Sequence, residues 1–249
     1  AVRRGCRIVT FNPVRERGLE SMINPQEPTA MVTGKETALS CQYHQVKPGG
    51  DIAALLGLCK HVLAADDAAR ANNRHVIDRA FIAEHTVGFE DFEARLRALD
   101  WAEIEAVSGL TRAAIEAAGT VYVEANNTIG IYGMGLTQHV HGFENIATYV
   151  NLLLMKGNIG RKGTGMSPVR GHSNVQGQRT VGIAEKPELV PLDRLAELYD
   201  FEPPREKGMN TVEACEGILN GEVKAFIGLG GNFLRAVPEQ RAIEEAWLR

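Results

Sequence analysis

Apolar residues recur every three or four positions in several parts of the chain, and this period predicts helices with one buried face. The clearest example is residues 49–64, where Asp51 stands at the position of an N-cap. Two helical stretches follow within 74–100, and then a helix–turn–helix with Thr111 as its second N-cap. The same period predicts further helices at 141–160, 191–201, within 210–232 and at 237–249.

Short apolar runs that end in glycine or Asn-Pro alternate with these helices. They lie at 6–13, at 127–135 and ahead of the glycines of 228–232, whereas 14–48 shows only loop signals. Alternating strands and helices are typical of an α/β fold with a largely parallel sheet flanked by helices. Ligands of such folds bind outside the carboxyl ends of the strands, so we expect a site where these runs end.

Composition narrows the class of protein further. The chain of 249 residues is 44% hydrophobic and 23% charged with a formal net charge of −4, which is typical of a globular protein and gives no sign of a nucleic-acid-binding surface. No apolar run approaches the ~18 residues that a membrane span needs. The four cysteines form no C-x-x-C pair. We therefore expect free thiols, a reducing cytoplasmic location, and no iron–sulfur or zinc site built by this chain alone.

Two short motifs offer ligand contacts, and each has a purely structural alternative. A Gly-x-Gly turn at 133–135 follows a strand. It either makes a tight strand–helix connection or brings backbone N–H groups to a diphosphate, with the Gln138 amide at a heterocycle. In the Gly-Gly-Asp motif at 49–51, Asp51 either caps its helix or offers two acceptor oxygens to the adjacent N–H donors of guanine, which adenine lacks.

The segment 164–180 is polar but contains no Lys, Glu or Asp, which is unusual for a solvated loop. Its arginines, histidine and amides supply many donors and few negative charges, which suits an anionic ligand with a polar heterocycle. Arg170 and His172 are its candidate functional residues, and the alternative is that each satisfies hydrogen bonds within the fold. His139 and His141 lack a third ligand that would complete a metal site.

A longer pattern links these motifs. Residues 132–177, YGMGLTQHVHGFENIATYVNLLLMKGNIGRKGTGMSPVRGHSNVQG, resemble the central signature of the molybdopterin oxidoreductases, in particular the formate dehydrogenase-like alpha subunits and their YdeP-type branch. The order of parts is similar: G-M-G-x-x-Q, an amphipathic helix, LLMKGNIGRKGTG and PVRGxxNVQG. FNPVRERG at 11–18, GGDIAAL at 49–55 and AFIGLGGNF at 225–233 also resemble motifs of this family. The resemblance covers roughly residues 1–240.

The resemblance implies a Rossmann-like α/β fold of the formate dehydrogenase and DMSO reductase type, with parts of two subdomains. Residues 1–165 would form a guanine-dinucleotide-binding domain without its N-terminal strands. Residues 166–249 would form the active-site loop and part of a second cofactor-binding subdomain. The implied cofactor is bis-molybdopterin guanine dinucleotide with molybdenum or tungsten, and in many members a preceding region also carries an iron–sulfur cluster.

The resemblance also implies roles for single residues. Arg170 would lie close to the metal and orient the substrate, and His172, where the family often has Gln, would relay a proton. No residue of this chain is expected to ligate the metal. The residues expected to contact the dinucleotides are Asn12, Gly49, Gly50, Asp51, Gly133, Met134, Gly135, Gln138 and Asn232.

The function that the resemblance implies is two-electron oxidation or reduction of a small substrate, with formate as the first candidate and an electron-transfer subunit as a candidate partner. We expect the chain to be the central cofactor-binding region of such an enzyme and inactive by itself. One alternative is a structural or electron-transfer scaffold that has kept the fold and lost the metal. Another is a nicotinamide-dependent dehydrogenase, although the complete G-x-G-x-x-G fingerprint is missing.

Overall fold

A computed structural model describes residues 1–169, 171, 177, 178 and 180–248. The chain forms two compact units, residues 1–170 and residues 171–249. In the first unit a short 3-10 helix, Val2–Arg4, precedes these elements: β1 (Ile8–Phe11), α1 (Arg17–Glu20), β2 (Ser21–Met22), α2 (Pro28–Thr33), β3 (Thr37–Ala38), β4 (Ser40–His44), α3 (Asp51–Arg70), α4 (Arg79–His85), α5 (Phe89–Ala98), α6 (Trp101–Ser108), α7 (Arg112–Glu124), β5 (Ile129–Tyr132), α8 (Met134–Thr137), α9 (Gly142–Met155) and β6 (Gly165–Pro168).

The strands of the first unit form three pairs. β1 is parallel to β4, and β5 is parallel to β6, with Tyr132 opposite Pro168 at the carboxyl ends. β2 and β3 form a short antiparallel pair. β5, α9 and β6 make a β-α-β unit in which the strand packs tightly on the helix: a Cβ on Gly130 would lie 3.0 Å from the Tyr149 ring. The expected α/β class, with short parallel sheets and flanking helices, is confirmed.

Helix α3 is the centre of the first unit. It supplies Leu58, Cys59, Val62 and Leu63 to the buried core, and the helices that follow it pack around this apolar face. Gly57 allows the close approach, because a Cβ there would lie 3.0–3.2 Å from isoleucine side chains of α6 and α7. The apolar period that predicts α3 therefore marks the residues that the other helices bury, although the helix runs six residues beyond the predicted end at 64.

The second unit is helical and has a small core. It contains a 3-10 helix (Pro187–Leu189), α10 (Leu192–Tyr199), α11 (Thr211–Asn220), α12 (Phe233–Ala236) and α13 (Gln240–Trp247). Asn210 and Glu213 form a capping box at the start of α11. Three buried apolar side chains form the core, namely Ile218, Val237 and Ile243.

Two expectations from the sequence are wrong. The stretch 14–48 is not only loop, because it contains β4, whose polar side chains hide the strand from an apolar pattern: Ser40 bonds Thr10 at 2.6 Å, and Gln42 bonds His44 at 2.9 Å. Conversely, no strand precedes the glycines of 228–232 in the described part of the second unit. A strand needs a hydrogen-bonding neighbour, and the described residues provide none for this segment, in which Leu229 is 96% exposed.

Candidate active site at the strand ends

The connection between β5 and α9 exposes backbone. Gly133 and Gly135 are exposed, and a Cβ on either would meet no atom of the described residues within 4 Å. Packing therefore does not require glycine at these two positions, and the turn is open to a ligand on its outer side. Met134 between them is 41% exposed. This open turn is the kind of surface that backbone N–H groups need for contact with a diphosphate.

Contacts with α9 fix the backbone of the same connection. Asn145 on α9 is only 1% exposed, and its side-chain amide donates to the Leu136 carbonyl at 3.0 Å. Gly142 is needed where α9 begins, because a Cβ there would lie 2.5 Å from the Thr137 carbonyl oxygen. Gln138 caps α8 through its backbone N–H, while its exposed side-chain amide has no hydrogen-bond partner among the described residues. A fixed backbone with a free amide is suited to ligand recognition.

The Gly-Gly-Asp motif forms the start of α3. Gly49 has φ +83°, a left-handed conformation that favours glycine. Gly50 is the N-cap and is packed against the end of α6, because a Cβ there would lie 2.7 Å from the Val107 carbonyl oxygen and 2.8 Å from Ser108 Cα. The turn geometry and the packing thus explain both glycines without any ligand.

Asp51 is not the N-cap residue of α3. It is the first helical residue, one position after the Gly50 N-cap, and among the described residues its half-buried carboxylate has no hydrogen-bond partner other than its own backbone N–H. Burial raises the pKa of this carboxyl group above its ordinary value, whereas a hydrogen bond from its own backbone N–H and the charge of His139 act in the opposite direction. The structure therefore assigns the N-cap position to Gly50, and the Asp51 carboxylate can still accept hydrogen bonds from a ligand.

Tertiary structure brings His139 to this motif, although the two are far apart in the chain. A Cβ on Gly49 would lie 3.4 Å from His139 Nε2, so the ring approaches the backbone just before α3. The structure thus joins the open turn after β5 to the start of α3. His139 was considered from the sequence only as an incomplete metal ligand, and nothing in its local pattern indicates this contact.

The other predicted site residues fall in three different places. Asn12 follows β1, where its side-chain amide donates to the Val14 carbonyl and to Glu16 Oε2 at 3.2 Å, within its own loop. Asn232 belongs to the second unit and is the exposed N-cap residue of α12, without a side-chain cap bond. Arg170 and His172 lie outside the described residues. β6 ends at Pro168, and the next residue, Val169, donates its backbone N–H to the Tyr132 carbonyl at 2.7 Å.

Part of the long signature is structural. Lys156 Nζ donates to the carbonyls of Tyr122, Val123 and Ala125 at 2.7–2.9 Å, where α7 ends. Asn158, fully buried, accepts from Thr128 N at 3.2 Å and donates to Tyr122 Oη at 3.1 Å. This network ties α7, α9 and the start of β5 together. A lysine just after an apolar helix suggests capping of that helix's own carbonyls, whereas Lys156 caps α7, a contact that only the fold shows.

The described residues contain no group of three or more His, Cys, Asp or Glu side chains that could hold a metal ion. Nor does any described helix combine the length and apolar character needed to cross a membrane. The fold and the open turn define an α/β protein with a candidate ligand surface at the carboxyl end of a parallel strand, beside the start of a long helix.

Comparison with known proteins then gives the family. The chain is 46% identical to Protein YdeP of Escherichia coli (strain K12) over 97% of its own length and 32% of that protein. It is 27% identical to Formate dehydrogenase H of the same organism, over 85% of its length and 30% of that protein. The chain belongs to the molybdopterin oxidoreductase family, in the formate dehydrogenase-like group that includes YdeP. It spans about a third of the length of these curated relatives.

Structural comparison agrees on the fold. Acetylene hydratase from Pelobacter acetylenicus matches with a TM-score of 0.53 at 15% identity, over 98% of this chain and 33% of that one. No family model matches the sequence. The resemblance inferred from residues 132–177 is thus confirmed by relatives that extend over nearly the whole chain.

Proposed function

We propose that this chain is the central cofactor-binding region of a molybdenum or tungsten oxidoreductase that carries bis-molybdopterin guanine dinucleotide and acts on formate or a similar small substrate. Membership of an oxidoreductase family and the similarity to Formate dehydrogenase H support the proposal. The observation that carries it is the Asp51 carboxylate, which is half-buried at the start of α3 and has no hydrogen-bond partner among the described residues other than its own backbone N–H.

The residues at the strand end fit a guanine nucleotide chemically. Two carboxylate oxygens match the two neighbouring N–H donors on guanine, whereas adenine presents an acceptor at one of these positions. The open turn at Gly133 and Gly135 leaves space where a Cβ would otherwise project, so backbone can approach a diphosphate. Gln138 adds a free amide on the same connection. The residues proposed to hold the dinucleotides are Asn12, Gly49, Gly50, Asp51, Gly133, Met134, Gly135, Gln138 and Asn232.

The chemistry of the reacting centre would come from the bound cofactor, which exchanges two electrons with the substrate. The proposed roles of this chain are binding and electrostatics. Arg170 would hold an anionic substrate through its guanidinium group, and His172 would relay a proton. We further propose the division at residues 1–165 and 166–249, a cytoplasmic location and an electron-transfer subunit as partner.

Guanine selectivity tests the nucleotide site directly. We expect the chain to bind GMP at least about tenfold more tightly than AMP, since losing one matched hydrogen bond to a charged group costs roughly 1.5 kcal/mol. Asp51→Asn should remove the preference. Glu144→Gln, which removes an exposed charge in the first turn of α9, is the matched control. Saturation-transfer NMR detects weak binding, and equal affinity for GMP and AMP in the unsubstituted protein would contradict the site.

A protein that carries these residues together with the remaining length of the relatives tests the reaction. Purified material should contain molybdenum or tungsten and oxidise formate, and Arg170→Ala should lower kcat/KM by roughly 100-fold with the metal content unchanged. Arg170→Lys keeps the charge but not the forked geometry and should lose less. Metal-free purified protein would favour the scaffold alternative, and unchanged turnover in Arg170→Ala would remove the role of that residue.

A further inference from the structure

We propose that His44, at the carboxyl end of β4, is a further ligand-binding residue, whose Nδ1 atom accepts a hydrogen bond from a ribose hydroxyl group of the bound guanine nucleotide. This inference deepens the proposed function and rests on the guanine site at Asp51. It assigns a ligand contact to a residue that neither the short motifs nor the family resemblance singled out, and it follows from hydrogen bonds between segments that are distant in the chain.

The loop between β4 and α3 contacts the segments that follow two other strands. Asn12 N, just after β1, donates to the His44 carbonyl at 3.0 Å. In the connection after β5, His139 Nε2 lies 3.4 Å from where a Cβ of Gly49 would stand. His44 is the last residue of β4 and Asp51 is the first of α3, so the two flank this loop. Ligands of parallel α/β folds bind at such an edge, so His44 lies where the nucleotide is expected.

Hydrogen bonds determine which nitrogen of the His44 ring carries the proton. Gln42 Nε2 donates to the Ala117 carbonyl of α7 at 3.2 Å, and the other atom of the same amide group, Oε1, faces the ring. Gln42 Oε1 can only accept, and His44 Nε2 lies 2.9 Å from it, so Nε2 is the donor. A neutral imidazole with its proton on Nε2 has an acceptor at Nδ1. The contact of Gln42 with α7 thus sets the tautomer of His44.

The His44 ring is held in place and kept neutral. It stacks on Phe11, the residue opposite it in β1, with 5.0 Å between the ring centroids and 27° between the ring planes. Burial lowers the pKa of His44 below its ordinary value, which disfavours the protonated form that would turn Nδ1 into a donor. The ring is only half-buried, and no described residue donates to Nδ1. A fixed acceptor without a partner is therefore free to bind a ligand.

The chemistry of a guanine nucleotide indicates which group this acceptor would bind. The N–H donors of guanine lie together on the edge that is proposed to contact Asp51. The other polar atoms of the base and the ionised phosphate oxygens are acceptors. The ribose hydroxyl groups are the donors that remain. A neutral imidazole can accept from them without the repulsion that a carboxylate would exert on a diphosphate nearby.

¹⁵N NMR of the histidine side chains tests the arrangement without any ligand. At pH 7 we expect His44 to be neutral with its proton on Nε2, because Gln42 Oε1 accepts from it. Gln42→Leu removes that acceptor and should give a mixture of the two tautomers. Gln45→Leu removes an exposed amide that bonds the Pro13 carbonyl and not the ring, and it is the control. A proton on His44 Nδ1 in the unsubstituted chain would overturn the proposal.

Deoxynucleotides test the ligand contact. The unsubstituted chain should bind GMP about two- to tenfold more tightly than either 2′-deoxy-GMP or 3′-deoxy-GMP, which is the effect of one neutral hydrogen bond. His44→Phe keeps a ring on Phe11 without the acceptor, so its affinity for GMP should fall by the same factor and its affinity for that deoxynucleotide should not change. His85→Phe is the matched control, because His85 also lies against a phenylalanine ring, that of Phe81. Saturation-transfer NMR measures the affinities.

The outcomes separate this proposal from the guanine assignment. Equal losses in His44→Phe for GMP and for both deoxynucleotides would indicate a packing role and overturn the hydroxyl contact. Equal affinities of the unsubstituted chain for the three guanine nucleotides would also overturn it, whereas the guanine assignment would stand if AMP bound more weakly. If GMP and AMP bind equally and both lose affinity in His44→Phe, the guanine assignment fails and the ribose contact stands. The measurements on the unsubstituted chain decide the question even if a variant does not fold.

Discussion

Two aspartates on the same helix have opposite environments. Asp66, near the end of α3, is fully buried, and its oxygens accept from Val76 N, Ile77 N, Arg70 and Arg79 at 2.9–3.3 Å. Asp51, at the start of the same helix, is half-buried and has no donor other than its own backbone N–H among the described residues. The side chains are the same, but their burial and the number of their hydrogen-bond donors differ. A buried carboxylate with every oxygen satisfied stabilises a fold, whereas an unsatisfied one is available to a ligand.

The largest change in stability is expected for a substitution of Asp66. Asp66→Ala should lower the free energy of unfolding by about 3–5 kcal/mol, because two backbone N–H groups and two arginines lose their buried acceptor. Urea unfolding followed by circular dichroism measures the loss. The neighbouring Asp67→Ala is the control, since Asp67 is exposed and pairs with Arg97 at the surface. Similar losses for the two variants would abolish the contrast on which the comparison rests.

A smaller loss of stability is expected for a substitution of Gly50, which precedes Asp51. Gly50→Ala should destabilise the protein by about 1–3 kcal/mol, because its Cβ would overlap backbone atoms of Val107 and Ser108 that cannot move independently. Gly133→Ala, whose Cβ would meet no atom of the described part of the chain within 4 Å, should leave stability unchanged and affect only ligand binding. Thermal unfolding of the two variants compares them. Equal melting temperatures would show that the packing at Gly50 does not fix the start of α3.

Tyr122, on α7, belongs to the hydrogen-bond network that includes Asn158 of the signature. Tyr122→Phe should lower the free energy of unfolding by about 1–2 kcal/mol, because the hydroxyl donates to the Leu152 carbonyl at 2.7 Å and accepts from the buried Asn158 amide. Tyr199→Phe removes a hydroxyl from a side chain that is 70% exposed and should leave the free energy of unfolding unchanged within error. Urea unfolding distinguishes the two. An unchanged free energy of unfolding in Tyr122→Phe would indicate that the network contributes little to stability.

The smallest stability effect is expected at Asp51, with a characteristic pH dependence. Its pKa is raised in the folded state, so the folded protein holds the proton more firmly and stability falls as pH rises above the ordinary carboxyl range. Asp51→Asn should therefore change stability by no more than about 0.5 kcal/mol at pH 7, and any change should be an increase. Urea unfolding at pH 7 and at acidic pH checks the sign. A clear loss of stability would mean that the carboxylate serves the fold after all.

Local chemistry determined the helices, the fold class and the family. The apolar period of α3 marks the face that other helices bury, and Thr111 caps α7 as predicted, with its hydroxyl accepting from Ala114 N at 3.2 Å. These features depend on residues within one or two turns of each other, so they are visible in sequence. The signature at 132–177 identified the molybdopterin oxidoreductase family because it fixes residue types over a long stretch, and relatives confirm it.

Tertiary structure decided what depends on distant contacts. β4 forms because β1 pairs with it, although its own residues are polar, and no strand forms before 228–232, where the described residues offer no neighbour. The sequence placed Asp51 in a helix-capping or a guanine-binding role, and only the fold showed that Gly50 is the N-cap and that His139 approaches Gly49. Hydrogen-bond satisfaction, burial and charge at such positions are set by segments far away in the chain. Sequence order alone does not give those distances.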